Sequence, residues 1–301
     1  MATRPIYSVH HYGAHKLQRV GVWDVDINNA ESKWWIVYIH GGAWRDPRIT
    51  LDTFEPIINK ILKSKDEEAK CEIAAFASID YRLSPHPEFP QDPATTPPER
   101  YRGAKHPDHL NDVRAALAFL QQRFGFGDRY MLLGHSAGGC LAYQLLMRPL
   151  NMLMLPPPKD EVEIELPKAI IGLEGIYDFT GLNKRVGGSY TEFLTAALGP
   201  PKDWDAAAPM KYGGNFRYRF QGVAVFAHSI DDELVDYAES EGMAERFKKD
   251  AGGKGQKLTN ELRGTHDEVW QDGRGVAKLV INTMRSIRDA ARTDEKYKRN
   301  S

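Results

Sequence analysis

Gly134-His135-Ser136-Ala137-Gly138 carries the strongest chemical signal in the chain. An apolar run, Tyr130-Met131-Leu132-Leu133, precedes it, and a helix-like run over 139–147 follows. That context reads as strand, sharp turn, helix, with the serine hydroxyl held at the tip of a strained turn where it can attack a carbonyl carbon. The two glycines leave room where strand and helix nearly touch. The pentapeptide alone is weak, because at ~7% usage per fixed residue roughly one chain in ten of this length carries it by chance. Its flanks and two further motifs raise it well above that.

The first is His40-Gly41-Gly42-Ala43-Trp44, directly after the apolar run 34–39. Acyl transfer needs donors where the carbonyl oxygen becomes negative. Consecutive glycines let the backbone turn N–H groups toward that oxygen with no Cβ in the way. Gly41 and Gly42 are therefore the expected donors, with the N–H of Ala137, next to the serine, as the third. A plain Gly-Gly turn is the alternative, and the company of the serine turn weighs against it.

A serine hydroxyl needs a base, and the base an orienting acid. Where the serine stands on a strand-turn-helix of this kind, the chain order is serine, acid, histidine. Only His228 and His266 follow Ser136. His266, in Gly264-Thr265-His266-Asp267, falls between the last expected strand and the last helix, and so reads as the base. The acid then belongs to the turn after 223–227, where Asp232 is preferred and Asp231 is the rival. His228 is expected to bond locally at its strand end, and His135 to pack or hydrogen-bond beside the serine. His10, His11 and His15 have no acidic or thiolate partner at ligand spacing, so they read as a solvated terminal cluster and no metal is expected.

These residues need a scaffold. Strands are expected at 20–27, 34–39, 73–79, 130–133, 169–173, 223–227 and 257–262. Several are short continuous apolar runs, as in parallel strands covered on both faces. Between them, 108–124 places Leu110, Val113, Leu117, Leu120 and Phe124 on one helical face, and 51–62, 234–247 and 276–287 read similarly. Strands alternating with helices imply an α/β protein with a mainly parallel sheet flanked by helices. No linker divides the 301 residues, so one domain is expected. Three stretches interrupt the alternation. Residues 84–107 hold seven of the 18 prolines and read as an ordered extended loop. Residues 150–167 read as a surface excursion. Residues 181–214 set Tyr190, Phe193, Trp204 and Tyr212 among glycines, which fits a small cap or lid, or an ordinary connection with half-buried aromatics.

Charge is balanced, 40 basic residues against 41 acidic, which argues against nucleic-acid or membrane-surface partners. No apolar run approaches a membrane span, and the first residues lack a signal-peptide layout. Cys140, behind the serine, is expected as a buried thiol and not in a disulfide with Cys71. The expected setting is cytoplasmic. The expected partners are a small-molecule substrate and, at most, a second copy of the chain as a homodimer.

Five segments then occur in one order: His40-Gly41-Gly42-Ala43-Trp44, Gly134 to Gly139, Gly175-Ile176-Tyr177-Asp178, His228-Ser229-Ile230-Asp231-Asp232-Glu233-Leu234 and Gly264-Thr265-His266-Asp267. Together they resemble the fungal, yeast-type kynurenine formamidases, serine enzymes of the α/β-hydrolase fold, from about His40 to the final helix. The glycine and serine motifs, and Asp80-Tyr81-Arg82-Leu83-Ser84-Pro85, are shared with wider esterase and lipase relatives. The turn His228 to Leu234, the Gly-Ile-Tyr-Asp strand end and Trp44 are the discriminating pieces. The resemblance implies Asp232 as the acid, a Ser136-His266-Asp232 triad, no cofactor, and hydrolysis of N-formyl-L-kynurenine to L-kynurenine and formate in tryptophan catabolism. This chain is longer than the family pattern, chiefly at 84–107 and 150–167, which bears on substrate choice. Gly264 to Asp267 also slightly resembles the signature of a metal-dependent formamidase family, whose other histidines are missing here. Trp44, Tyr190 and Phe193 are expected walls of an aromatic slot, with Arg82 or a nearby base meeting the tail carboxylate. A carboxylesterase acting on short acyl esters is the alternative. A hydrolase fold kept only as a binding module would have lost a triad member, and none is lost.

Overall fold

A computed structural model describes residues 4–147, 163–251 and 255–299. Its strands are β1 (Ile6–His11), β2 (Arg19–Asp24), β3 (Trp34–Ile39), β4 (Ile73–Ile79), β5 (Tyr130–His135), β6 (Ala169–Leu173), β7 (Val223–Ser229) and β8 (Gln256–Leu262). They form one sheet in the order β1-β2-β4-β3-β5-β6-β7-β8. The pairings β1–β2 and β2–β4 are antiparallel, and every other pairing is parallel. The helices are α1 (Glu55–Leu62), α2 (Glu67–Cys71), α3 (Asp108–Phe124), α4 (Ala137–Gln144), α5 (Phe179–Arg185), α6 (Thr191–Leu198), α7 (Trp204–Ala207), α8 (Ala238–Ala251), α9 (Glu268–Asp272) and α10 (Arg274–Arg299).

The pleat of β3 explains the two-sided core. Trp35, Val37 and Ile39 enter one cluster with side chains of α3, α4 and α8. Ile36 and Tyr38 enter the other with Ile57, Ile58 and Ile61 of α1 and Val276, Val280 and Met284 of α10. A strand covered on both faces reads as a near-continuous apolar run, and β3, β4, β5 and β6 are buried throughout.

The expected α/β architecture is the one observed, with four local corrections. Strand β1 escaped the sequence reading because it is an edge strand, Ile-Tyr-Ser-Val-His-His, with no continuous apolar run. The histidine cluster is solvated only in part: His11 is exposed and His10 half-buried. His10 and His11 are strand residues, and His15 is buried, its Nδ1 accepting from Leu17 N. The strand expected over 20–27 stops at Asp24, because Asp24 Oδ1 takes the Ile27 N–H and starts a turn. The helix expected from 234 starts only at Ala238, because Asp232 Oδ1 takes the N–H groups of Leu234 and Val235.

Residues 84–107 are ordered and almost free of regular structure, as their prolines dictate. The excursion expected over 150–167 lies mostly outside the described residues. Residues 181–214 form the short helices α5 to α7, and Leu194, Ala197 and Trp204 are buried in the main core. That segment is a packed helical layer over the C-terminal ends of the strands. Cys71 and Cys140 are free thiols, the first exposed and the second buried. Among the described residues, no helix is long and apolar enough to cross a membrane.

Candidate active site

Ser136 stands between β5 and α4 with φ at 54°, in the left-handed region that a serine rarely adopts. Its N–H is fixed by Leu173 O at 2.9 Å, and its own carbonyl accepts from Cys140 N. The glycines around it are sterically required. A Cβ on Gly134 would lie 2.2 Å from Gly138 O, and one on Gly138 would lie 2.2 Å from Ile39 O. The turn is thus wedged between strand β3 and its own helix.

Gly41 lies against the same turn, where a Cβ would stand 3.0 Å from Ser136 Cβ. Behind it, the Gly41 carbonyl accepts from Tyr81 Oη at 3.0 Å and from the His40 ring Nδ1 at 2.9 Å. Tyr81 also donates to His40 O and stacks on the His40 ring at 4.4 Å. Asp80 completes the support: buried, it takes Leu51 N and Arg19 Nε and lies 3.5 Å from His40 Nε2. With its carbonyls pulled backward, the loop presents its N–H groups forward. Among the described residues, the N–H groups of Gly41, Gly42 and Ala137 meet no intrachain acceptor. Ala137 also opens α4, whose N-terminal dipole favours a negative charge there.

His266 reaches the site from the loop after β8. Its Nδ1 donates to Asp232 Oδ2 at 2.8 Å. The Asp232 side chain is 1% exposed, and His228 Nε2 lies 3.3 Å from the same oxygen. Burial opposes ionisation of Asp232, but the hydrogen bonds of His228 and His266 hold its carboxyl well below the usual carboxylate range. Burial likewise opposes a charged His266, yet the Asp232 bond and charge prevail and lift its pKa above the ordinary 6.5. Asp231, the rival, is exposed and, among the described residues, bonds only to Ser229 and Gly264. His228 bonds locally as expected, to Val235 O and Ser240 Oγ, and so braces the acid loop.

His135 is both packed and hydrogen-bonded, as expected. Its Nε2 donates to His266 O at 3.1 Å and its ring sits 4.5 Å from the His266 ring. It ties the serine turn to the base. Burial first, and the neighbouring His266 second, push its pKa down and keep it neutral.

Glu174 was missed by the sequence reading. Directly after β6, it is fully buried, with Oε2 3.3 Å from His135 Nε2 and 3.8 Å from His266 Nδ1. The signal was a lone charge ending an otherwise apolar strand, Leu173-Glu174-Gly175. His135, Glu174 and His266 are the one group of potential metal ligands among the described residues. They fit a metal poorly. Both facing ring nitrogens carry their protons, one toward a carbonyl and one toward Asp232, so neither offers a lone pair.

The expected slot residues are placed unevenly. Trp44 is buried, edge-on to Phe179 and stacked near Phe193, which is also buried. Tyr190 is half-buried and donates its hydroxyl to Leu234 O, joining the helical layer to the acid loop. Arg82 is not available to a substrate carboxylate. Its Nε and Nη2 grip the buried Asp112 of α3 at 2.8–3.1 Å.

Comparison with known proteins agrees with this geometry. No family model matches. The chain is 34% identical to a kynurenine formamidase of Aspergillus versicolor, over 84% of this chain and 89% of that protein. It is 36% identical to a kynurenine formamidase-like hydrolase of Fusarium equiseti, over 85% and 84%. A kynurenine formamidase of Meyerozyma guilliermondii is 30% identical over 91% and 92%. The chain belongs to the kynurenine formamidase family. Among solved structures, esterase B of Lactobacillus rhamnosis superposes with a TM-score of 0.67 at 14% identity, over all of this chain and 90% of that one. A thermophilic esterase of Thermogutta terrifontis gives 0.62 at 17% identity, over 92% and 94%. These likenesses establish the α/β-hydrolase fold. This kynurenine formamidase relative is therefore a hydrolase of arylformamidase type.

Proposed function

We propose that the chain hydrolyses N-formyl-L-kynurenine to L-kynurenine and formate through Ser136, His266 and Asp232. The observation that supports this most is the bond from His266 Nδ1 to a buried, ionised Asp232, beside a strained serine, in a chain of this family. Asp232 fixes the tautomer, so His266 Nε2 carries the free lone pair. Ser136 Oγ bonds to the formyl carbon while Nε2 takes its proton. The N–H groups of Gly41, Gly42 and Ala137 receive the oxyanion. The C–N bond then breaks, and His266 returns the proton to the departing aryl amine. Water attacks the formyl-serine, again giving its proton to His266, which passes it to Ser136 Oγ as the acyl–oxygen bond breaks and formate leaves.

A formyl carbon bears only hydrogen, so the acyl side of the site can be small. The leaving group is a large aryl amine with a charged tail. Trp44, Phe193 and Tyr190 are the proposed aromatic wall. Arg45, directly after Trp44, lies over the Phe193 ring and pairs with the exposed Glu192. We assign it, in place of Arg82, as the cation for the tail carboxylate. The proposed setting is the cytosol. The test is kcat/KM for N-formylkynurenine against acetyl, butyryl and longer aryl esters, with Ser136→Ala as the control. Wild type should prefer N-formylkynurenine, and Ser136→Ala should lose about 10⁶ in rate. Better turnover of butyryl or longer esters would replace this reading with a carboxylesterase.

A further inference from the structure

Two carboxyl groups face one nitrogen of His266. Asp232 Oδ2 lies 2.8 Å from Nδ1 and Glu174 Oε2 lies 3.8 Å from it. They come from the ends of adjacent strands, Asp232 from the turn after β7 and Glu174 from the residue after β6. Glu174 Oε1 accepts from Ser229 N at 3.2 Å, while Oε2 is sealed from solvent without a hydrogen bond of good geometry. A buried oxygen left in that state is costly. The backbone adds a second cost, because Glu174 sits at φ 51°. Among the described residues only four non-glycines have positive φ. The other three are Ala43 and Trp44 of the oxyanion loop and Ser136 itself. Backbone strain of this kind collects where function requires a geometry that packing alone would not choose. At Glu174 it aims a carboxyl at the base.

We propose that Glu174 is a reserve positioning carboxyl, one that faces His266 beside Asp232 and orients the imidazole when Asp232 cannot. The proposal rests on Ser136 and His266 acting as nucleophile and base, and not on which acyl group is cleaved.

The groups facing Glu174 are His135 from β5, Asp232 and His228 from β7 and its turn, His266 from the loop after β8, and Tyr38 from β3. Burial first, and the charge of Asp232 second, push the Glu174 carboxyl up to about 8, so it is mostly neutral at pH 7. Asp232 alone then serves the imidazolium. Neutralising Asp232 removes the charge that most opposes ionisation of Glu174. Glu174 then loses its proton to solvent at lower pH and becomes the anion facing Nδ1–H. Asparagine at 232 keeps an oxygen for the N–H groups of Leu234 and Val235, so the turn survives. The bonds made and broken at Ser136 and the acyl carbon stay the same.

The experiment is a two-by-two set: wild type, Glu174→Gln, Asp232→Asn and the double variant. Each is assayed from pH 6 to 9.5 on N-formylkynurenine and, in parallel, on phenyl acetate, with Ser136→Ala as the zero. Asp232→Asn should keep a rate that climbs with pH and exceeds the double variant at least ~10-fold. The double variant should be flat with pH, at the ~10³ over water that remains without a working base. Melting temperatures separate misfolding from lost positioning, and Glu174→Ala repeats the comparison should Glu174→Gln fail to fold. Equal rates for Asp232→Asn and the double variant at every pH would overturn the proposal, as would simple multiplication of the two single losses with no change in pH profile. Turnover of the ester alone would remove the substrate reading and leave this comparison intact.

Discussion

Gly41→Ala tests the oxyanion loop with a single methyl group. Its Cβ would stand 2.9 Å from His135 Nδ1, 3.0 Å from Ser136 Cβ and 3.1 Å from His135 O. Ordinary contacts of this kind lie near ~3.5–4.0 Å, so loop and serine turn must part by about 0.5–1 Å. The turn cannot give way easily, because Gly138 already lies against Ile39 O. The loop cannot retreat easily either, because Tyr81 and His40 hold the Gly41 carbonyl from behind. Gly41 is not at a positive φ, so alanine adds no backbone strain of its own. A misplacement near 1 Å costs about 10² in rate, or ~2.7 kcal/mol of barrier. Crowding should lower stability by ~1–3 kcal/mol, leaving a folded protein. The assay is kcat and KM on N-formylkynurenine beside a denaturant melt of the same preparation. The loss should fall on kcat, with KM changed less than about threefold, since these donors act mainly in the transition state. Unchanged kcat in a folded variant would refute the assignment of this loop as the donor site.

The remaining predictions concern charge. Asp231→Asn should stay within about threefold of wild-type kcat, because Asp231 is exposed and its carboxylate takes only a long bond, 3.4 Å, from Gly264 N, which an amide oxygen can also accept. A greater loss there than at Asp232→Asn would show that the acid is misassigned. kcat/KM should fall as pH drops through the raised pKa of His266, above 6.5, since only neutral imidazole accepts the serine proton. Stability should run the other way. Glu174, near 8 when folded against an ordinary 4.5, binds its proton more tightly in the folded state, and so does His266. Their contribution is full at low pH and is lost as pH rises through those values, at up to ~1.4 kcal/mol per unit for each group. A melting temperature that rises between pH 6 and 9 would contradict this.

The parts of the fold that were legible in the sequence are those where burial leaves one choice of residue. Strands β3 to β6 are buried at every position and so are almost wholly apolar, and a serine turn pressed between strand and helix must have its glycines. Edge strand β1 pairs on one side only and is exposed or half-buried at every position, so it carries no apolar run to read. The delayed start of α8 was hidden because the Asx bonds of Asp232 override helix propensity. Within the site, Ser136, His266 and the glycine loop announced themselves by type and spacing. Asp232 was preferred to Asp231 from its place in the turn and from the family resemblance, while its burial against His266 could be read only from the structure. Glu174 and the second task of His135 arise from contacts between strands distant in sequence. Arg82 was misread because its partner, Asp112, lies on the buried side of α3, where periodicity alone predicts no charge.

The four strained residues also set limits on how this enzyme can be improved. Each unfavourable φ costs roughly 1–3 kcal/mol, against a total stability of ~5–15 kcal/mol for a typical domain. Selection for heat tolerance alone would therefore find easy gains at Ala43, Ser136 and Glu174, where glycine relieves the backbone, but not at Trp44, whose buried ring glycine would remove. Those gains would come from dismantling the catalytic centre. A search for a hardier variant should hold these four positions fixed and look to the edge strand and the outer helices, where nothing chemical is at stake.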